Sequence, residues 1–466
     1  MSIESRSGAH LCFICALLYL WPFPSTIYTL VLSPAESTDL HFRPMNRRLH
    51  LFSRVWAVLA IALIAVTWKL WTPQTSFPQI PFCEFLIHAP RWIDWIALAI
   101  VGLSLLACLF LKPRVDGLIN TSVQQNPGSG LSWFRMRHLW FSIAFALLIL
   151  LDQNRLQPWA YHFVIIGLLI GLASPAKAIS LIRLLAISIY IYSAISKFDY
   201  QFVHTVGDQM LSTILGFAGI ETTNWSQELK SGLVLLLPTG ELLVGIGLAI
   251  PRFRAFATVA AVGLHVALLV ILGPWGLAHR PGVLIWNLFF IFQALILFWQ
   301  SKPSIAQLAQ PNHTELEKVP VVNPSPQSGR LPNHLAQLVA ILALCFPLTQ
   351  WIGICDHWPA WQVYSPSSSR AQLLNDRSAS QWSLEELGVP IYPQARFQLA
   401  VASAAAEKSA KQNQHRGRGR FQIELRNQSN RFTGERTDEI LTGADQFKMK
   451  KSRFWLNTRA RKIWFD

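Results

Sequence analysis

Nine apolar runs of roughly 15 to 22 residues, each about the length that crosses ~30 Å of hydrocarbon, lie near 51–72, 92–111, 138–151, 160–174, 178–198, 231–250, 255–273, 282–300 and 334–354. A chain built this way has few options. Backbone polar groups in lipid must be satisfied within the segment, so runs of this kind become helices packed as a bundle. With 52% hydrophobic and only 14% charged residues, the chain is too apolar for an ordinary water-soluble globule. The expected class is an all-α polytopic membrane protein of about nine transmembrane helices, with the lipid bilayer as its first partner.

Basic residues set the orientation. With Met45 in the cytoplasm, one side carries Arg47, Arg48, Arg54, Lys112, Arg114, Arg135, Arg137, Lys177, Arg183, Arg252, Arg254, Lys302, Lys318 and Arg330. The other carries only Lys69, Arg91, Arg155, Lys197, Lys230 and Arg280. An excess of Lys and Arg marks the cytoplasmic side, so the N-terminus is expected inside and the C-terminus outside. The expected location is a bacterial inner membrane. Trp68, Trp71, Trp92, Trp95, Trp275 and Trp299 flank the runs, as interfacial anchors do.

Three regions stand outside this pattern. Residues 1–44 read as an N-terminal extension: LCFICALLYLWPFPSTIYTLVL is either a further span or a signal-like segment, and Met45-Asn46-Arg47-Arg48 offers a second start. Cys12 and Cys15 form a C-x-x-C within it, either redox-active or inert in an apolar run. Residues 45–355 form the membrane domain, interrupted by a Pro-rich polar linker at 301–333 that is expected in the cytoplasm. Residues 356–466 carry 18 Lys and Arg against 11 Asp and Glu and read as a small extramembrane α+β domain. In it, Ser383 with Glu386 forms a capping box, 395–412 an Ala-rich helix, and FQIEL and RFWLN two strands. Its basic clusters HRGRGR and KMKKSR suit anionic lipid; an extracytoplasmic tail excludes nucleic acid. Cys83 and Cys355 fall on the same oxidising side and are candidates for a disulfide.

Polar residues interrupt the runs at a common depth, between the bilayer centre and the outer surface. Asp152 and Arg155 follow the third run, His162 opens the fourth, and Lys197 and Asp199 close the fifth. Glu241 lies mid-way along the sixth, His265 mid-way along the seventh and Asn287 in the outer part of the eighth. Each lone ionisable group facing lipid costs about 2.5–3.5 kcal/mol, so a shared cavity opening outward is the economical arrangement. Plainer alternatives stand beside it: an Asp152–Arg155 loop salt bridge, a Lys197–Asp199 interface pair, and an interhelical hydrogen bond for His265. No Walker A, Rossmann fingerprint, H-E-x-x-H or paired C-x-x-C zinc pattern is present, and His10 and His279 lack ligand partners at useful spacing, so no metal site is expected.

The stretch Tyr190-Ile191-Tyr192-Ser193-Ala194-Ile195-Ser196-Lys197-Phe198-Asp199 resembles the Y-x-x-A-G-x-x-K-L-D segment of the horizontally transferred transmembrane domain. That domain is the membrane part of vitamin K-dependent gamma-carboxylases and their bacterial relatives. The resemblance extends over roughly 50–355, taking in Leu151-Asp152, Leu264-His265 and the helix with Asn287. It implies that Lys197 is the base deprotonating a quinol cofactor. The expected function is a membrane enzyme acting on a quinol or another lipid-soluble substrate, with Glu241 and His265 as proton partners and Asp152 orienting them. Arg155, His162, Asn287 and Asp199 would then contact substrate. Ser193 and Ala194 replace the family's Ala-Gly, Phe202 its Trp, and Trp159 its loop histidine. The large lumenal domain is reduced to the tail, so carboxylation of protein glutamates is not implied. The chain is also similar, through Glu241, to DoxX-like and MauE-like proteins, which implies the alternative of a non-catalytic membrane partner for a periplasmic redox or maturation protein.

Overall fold

The apolar runs become helices, and breaks fall where Pro, Ser and charged residues gather. A computed structural model describes residues 39–73, 77–111, 133–299, 330–364, 366–373, 387, 389–412, 422–442 and 444–465. Most of 1–44 with Cys12 and Cys15, most of the 301–333 linker, the Ser383–Glu386 capping box and the HRGRGR cluster lie outside the described residues. The helices of the bundle are α1 (Asp39–Val66), α2 (Arg91–Phe110), α3 (Trp133–Leu151), α4 (Pro158–Leu172), α5 (Pro175–Lys197), then the shorter α6 (Val206–Phe217). They continue with α7 (Gln227–Ala249), α8 (Arg254–Leu272), α9 (Pro281–Phe298) and α10 (Arg330–Cys345). Pro opens α4, α5 and α9 at the first turn, where its missing N–H loses no helical bond.

Eight of these helices are long and apolar enough to cross a membrane. About nine were expected, and α4 makes the difference: its 15 residues rise only about 22 Å. It nevertheless joins the same two ends of the bundle. At one end Tyr161 of α4 donates to the Trp358 carbonyl of the tail. At the other, Arg135 at the start of α3 donates to the carbonyls of Gly171, at 2.9 Å, and Leu172. Helix α5 is central, with 67% of its apolar window buried, whereas α10 at 22% is peripheral.

The excess of basic residues at the end away from the tail has a second physical use. Four helices finish there, and each last turn receives an arginine. Arg137 donates to Ala107 and Leu111 of α2, Arg135 to α4, Arg254 to Leu248 of α7, and Arg183 to Leu297 of α9. Unpaired C-terminal carbonyls and the negative end of the helix dipole both favour a cation there.

The tail is not a separate globule. Strands β1 (Arg370–Leu373), β2 (Gln422–Arg426) and β3 (Asp438–Thr442) form an antiparallel sheet in that order, Arg370 facing Arg426 and Gln422 facing Thr442. Helix α11 (Ala395–Gln412) lies between this sheet and the bundle. Its Leu399 and Ala402 pack with Ile423, Leu441 and Phe447 of β2, β3 and α12 (Ala444–Lys451). Phe397, Ala400, Val401 and Ala404, on its other face, join the core cluster that runs through the membrane helices. FQIEL supplies β2, but RFWLN is not a strand. The backbone there turns back along the first loop, Asn457 N donating to Phe82 O at 3.3 Å and Arg461 N to Gln79 O at 2.9 Å.

Two further expectations are corrected. Cys83 and Cys355 are free thiols; Cys355 is buried and its Sγ donates to the Asp356 carbonyl. Trp71 is fully buried, its Nε1 donating to Thr67 Oγ1 at 3.0 Å, while Trp68, Trp92, Trp95, Trp275 and Trp299 are exposed.

Candidate functional site

The site begins with a glycine. A Cβ on Gly245 of α7 would sit 3.1 Å from Tyr190 Cβ and Ile191 Cγ1 of α5, so its absence lets the two helices approach closely. Residues four apart share a helix face, and the helices run antiparallel. The residue one turn above Gly245, Glu241, therefore meets the residues one and two turns above Tyr190. Glu241 Oε2 accepts from Lys197 Nζ at 2.6 Å, and the same ammonium donates to Ser193 Oγ at 2.6 Å and to the Ser193 carbonyl at 3.2 Å. The tail holds the end of α5 in place: Arg431 donates to the carbonyls of Ile195 and Phe198. The β2–β3 connection seats Gly434, at φ 72°, directly against the Tyr200 ring, where a side chain would collide.

A second chain of polar groups lies beside the pair. The Val283 carbonyl only accepts, so Asn287 turns Nδ2 toward it, at 2.9 Å, and presents Oδ1 to His265 Nδ1, also at 2.9 Å. His265 Nδ1 then carries a proton, and neutral Nε2 accepts from the Tyr190 hydroxyl at 2.7 Å. Phe290 stacks on the imidazole, ring centroids 4.8 Å apart and planes 3° off parallel, which fixes its orientation.

Both groups line one cavity of about 150 Å³, walled otherwise by apolar side chains from α5 to α9 and by Val363 and Tyr364 of the tail. Met210 and Ile214 of α6 close part of its wall. An apolar cavity of ~150 Å³ takes one benzene-sized ring. A ring bearing hydroxyl groups would find a carboxylate–ammonium pair and a neutral imidazole there. The arrangement can accept a proton from such a hydroxyl and offset the resulting negative charge.

Four of the eight expected site residues, Lys197, Glu241, His265 and Asn287, are thus brought together. The other four serve the fold. Arg155 is fully buried and its donors go to Leu70 O at 2.8 Å, Asp94 Oδ1 at 2.7 Å, Leu148 O and Thr72 O, both at 3.1 Å. It pairs with Asp94 rather than Asp152. Asp199 does not pair with Lys197; it caps the next helical turn, accepting from Gln201 N and Phe202 N. His162 accepts from Trp286 Nε1 at 3.3 Å in an aromatic cage, with Phe290 between it and His265. Asp152, also buried, accepts from Asn154 N at 3.1 Å and Ile80 N at 3.4 Å, holding the 79–82 loop against α3.

Asp152 gives a pH signature. Burial pushes its carboxyl from 3.8 up to about 6, against the opposing pull of Arg155 and the two amides. Folding therefore favours the protonated acid, and the stability this group supplies below about pH 4 is lost as pH rises to about 6. Burial holds His357 down to about 4, which works in the opposite sense: stability present above its ordinary value near 6.5 is lost as pH falls. Asparagine keeps the acceptor and caps well, so Asp152→Asn should match wild type near pH 4 and gain on it up to about pH 6. Thermal unfolding in detergent at several pH values measures this. A constant difference from pH 4 to 7 would refute it.

Several residues of the site were given no role from sequence. Tyr190 and Ser193 lie seven and four residues before Lys197, on its helix face, which is the signal that could have found them. Tyr364 carried none, because its place depends on the tail folding back. Comparison with protein-family models, curated proteins and solved structures finds no match to this chain.

Proposed function

We propose that the chain is a membrane enzyme acting on a quinol or another lipid-soluble hydroxylated ring, with the Lys197–Glu241 pair as its base. The observation that carries this reading is the 2.6 Å ion pair sharing a ring-sized apolar cavity with the Tyr190–His265–Asn287 chain. The substrate O–H bond breaks, its proton passes to the Glu241 carboxylate, and the Lys197 ammonium faces the oxyanion left behind. His265 Nε2 is the second acceptor, with Asn287 fixing its tautomer. The likeness of 190–199 to the gamma-carboxylase membrane domain supports a deprotonating site around Lys197, though it implies the lysine itself as the base, and the 2.6 Å ion pair moves the proton acceptor to Glu241. The reading takes α4 as a ninth crossing, a cytoplasmic N-terminus and an extracytoplasmic tail in a bacterial inner membrane.

The test is the lipid-soluble material that copurifies with the chain, identified by mass spectrometry. Wild type should carry a ring-bearing hydroxylated molecule, and Lys197→Ala should retain on the order of tenfold less of it, a difference of about 1.4 kcal/mol. Equal amounts in the two proteins would refute the reading and favour the non-catalytic partner role, for which the tail rather than Lys197 is the essential part.

A further inference from the structure

A second cavity, of about 580 Å³, lies between the tail and the loop leading into α9, sharing Trp286, Val363 and Tyr364 with the Lys197 chamber. Its charged walls are of one sign. Arg280 and Arg370 line it with His279 beside them, and no Asp or Glu is among its lining residues. Both arginines are exposed and neither forms an ion pair among the described residues. The residue opposite Arg370 across the sheet is another arginine, Arg426. Arg280 is the N-cap of α9, so the positive end of that helix faces the same space. His279 Nδ1 is buried there with no hydrogen-bond partner.

Unpaired cations gathered at a concave site attract an anion, and two guanidiniums with an imidazole suit a group of double charge and several acceptor oxygens. The remaining walls are mostly apolar, with Trp159, Trp286 and Trp358 among them, and carry Thr67, Gln157 and Gln398 besides. They continue toward the membrane chamber through the shared Trp286 and Tyr364. An apolar chain attached to the anion would follow that direction.

We propose that this cavity binds a phosphate monoester carried on an apolar chain, the phosphate between Arg280 and Arg370 and the chain against the tryptophan walls. The site stands independently of the acid–base reading of the Lys197 chamber.

The test is calorimetric titration of the full chain in neutral detergent with decyl phosphate, decanol and inorganic phosphate. Wild type should bind decyl phosphate. Each of Arg280→Ala and Arg370→Ala should weaken it on the order of tenfold, the double variant more than either, and the paired lysine variants should recover part of the loss. Glu241→Gln, which keeps the shape of the pair and still accepts from Lys197, should leave this binding unchanged, which separates the site from the proposed base. Unfolding temperatures of the arginine variants should stay at the wild-type value, since both side chains are exposed. Equal binding of decyl phosphate to wild type and the double alanine variant would overturn the proposal. Decanol binding as tightly as decyl phosphate would remove the anion, and inorganic phosphate binding as tightly would remove the apolar chain; either result overturns it.

Discussion

Asp94→Ala should cost the folded state about 3–5 kcal/mol, the usual result of removing one partner from a buried ion pair. Asp94, Arg155 and Arg461 are all at 0% exposure. Arg155 Nη1 reaches Asp94 Oδ1 at 2.7 Å and Arg461 Nη2 reaches Oδ2 at 2.9 Å. One carboxylate thus serves two guanidiniums. Other donors of the two go to the carbonyls of Leu70, Thr72, Leu148 and Ala89, which cannot replace a full negative charge, and Arg461 Nε is buried without a partner. The triad links the start of α2, the turn after α3 and the far end of the tail, so its loss should undock residues 456–465 together with the first loop. Guanidinium unfolding in detergent, followed by circular dichroism, reports the stability. Replacing all three residues by apolar ones of similar size should restore most of it, because desolvation of the charges is then avoided. A wild-type midpoint for Asp94→Ala, or a triple replacement as unstable as the single one, would show that charge compensation is not what the triad provides.

The same triad shows where sequence reading stops. The apolar runs give the helices because their length and composition leave no other way to satisfy the backbone, and the positions of Lys197, Glu241, His265 and Asn287 along their runs give a shared depth. Partnership at that depth is another matter. Arg155 finds Asp94 across 61 residues and Lys197 finds Glu241 across 44, whereas the nearby Asp152 and Asp199 turn to backbone amides. Residues two apart do not share a helix face, and where a helix ends the chain leaves helical spacing altogether, so short polar side chains there cap the next turn instead. Depth also misplaced His162, since a helix presents several faces at one level and this one faces an aromatic cage. The tail read as a separate domain because its composition shifts at 356, but composition does not reveal that Phe397, Ala400, Val401 and Ala404 form a stripe against the bundle. RFWLN has the aromatic and apolar composition of a short strand, yet its backbone pairs with a loop.

Glu241→Gln should slow turnover of a quinol-class substrate by about 10²–10⁴-fold, the usual contribution of a positioned general base. The amide keeps the shape and still accepts from Lys197, but it cannot take a proton. Lys197→Met removes the countercharge for the oxyanion and should lower turnover at least as far. It also strands a carboxylate at 16% side-chain exposure, so a loss of stability is expected with it. Lys197→Met with Glu241→Leu should recover that stability, since neither charge then needs a partner, and remain inactive. Asn287→Leu acts differently: without Oδ1, His265 Nδ1 loses the acceptor that fixes the tautomer, so turnover should fall less and its pH dependence should change. Substrate deprotonation followed by absorbance in nanodiscs gives the rates, and unfolding curves on the same samples separate chemistry from folding. Wild-type turnover in Glu241→Gln would mean that the carboxylate only neutralises Lys197, and the base would have to be sought at His265. Inactivity that follows stability across the set would instead mean that the polar pair holds α5 against α7 and carries no proton.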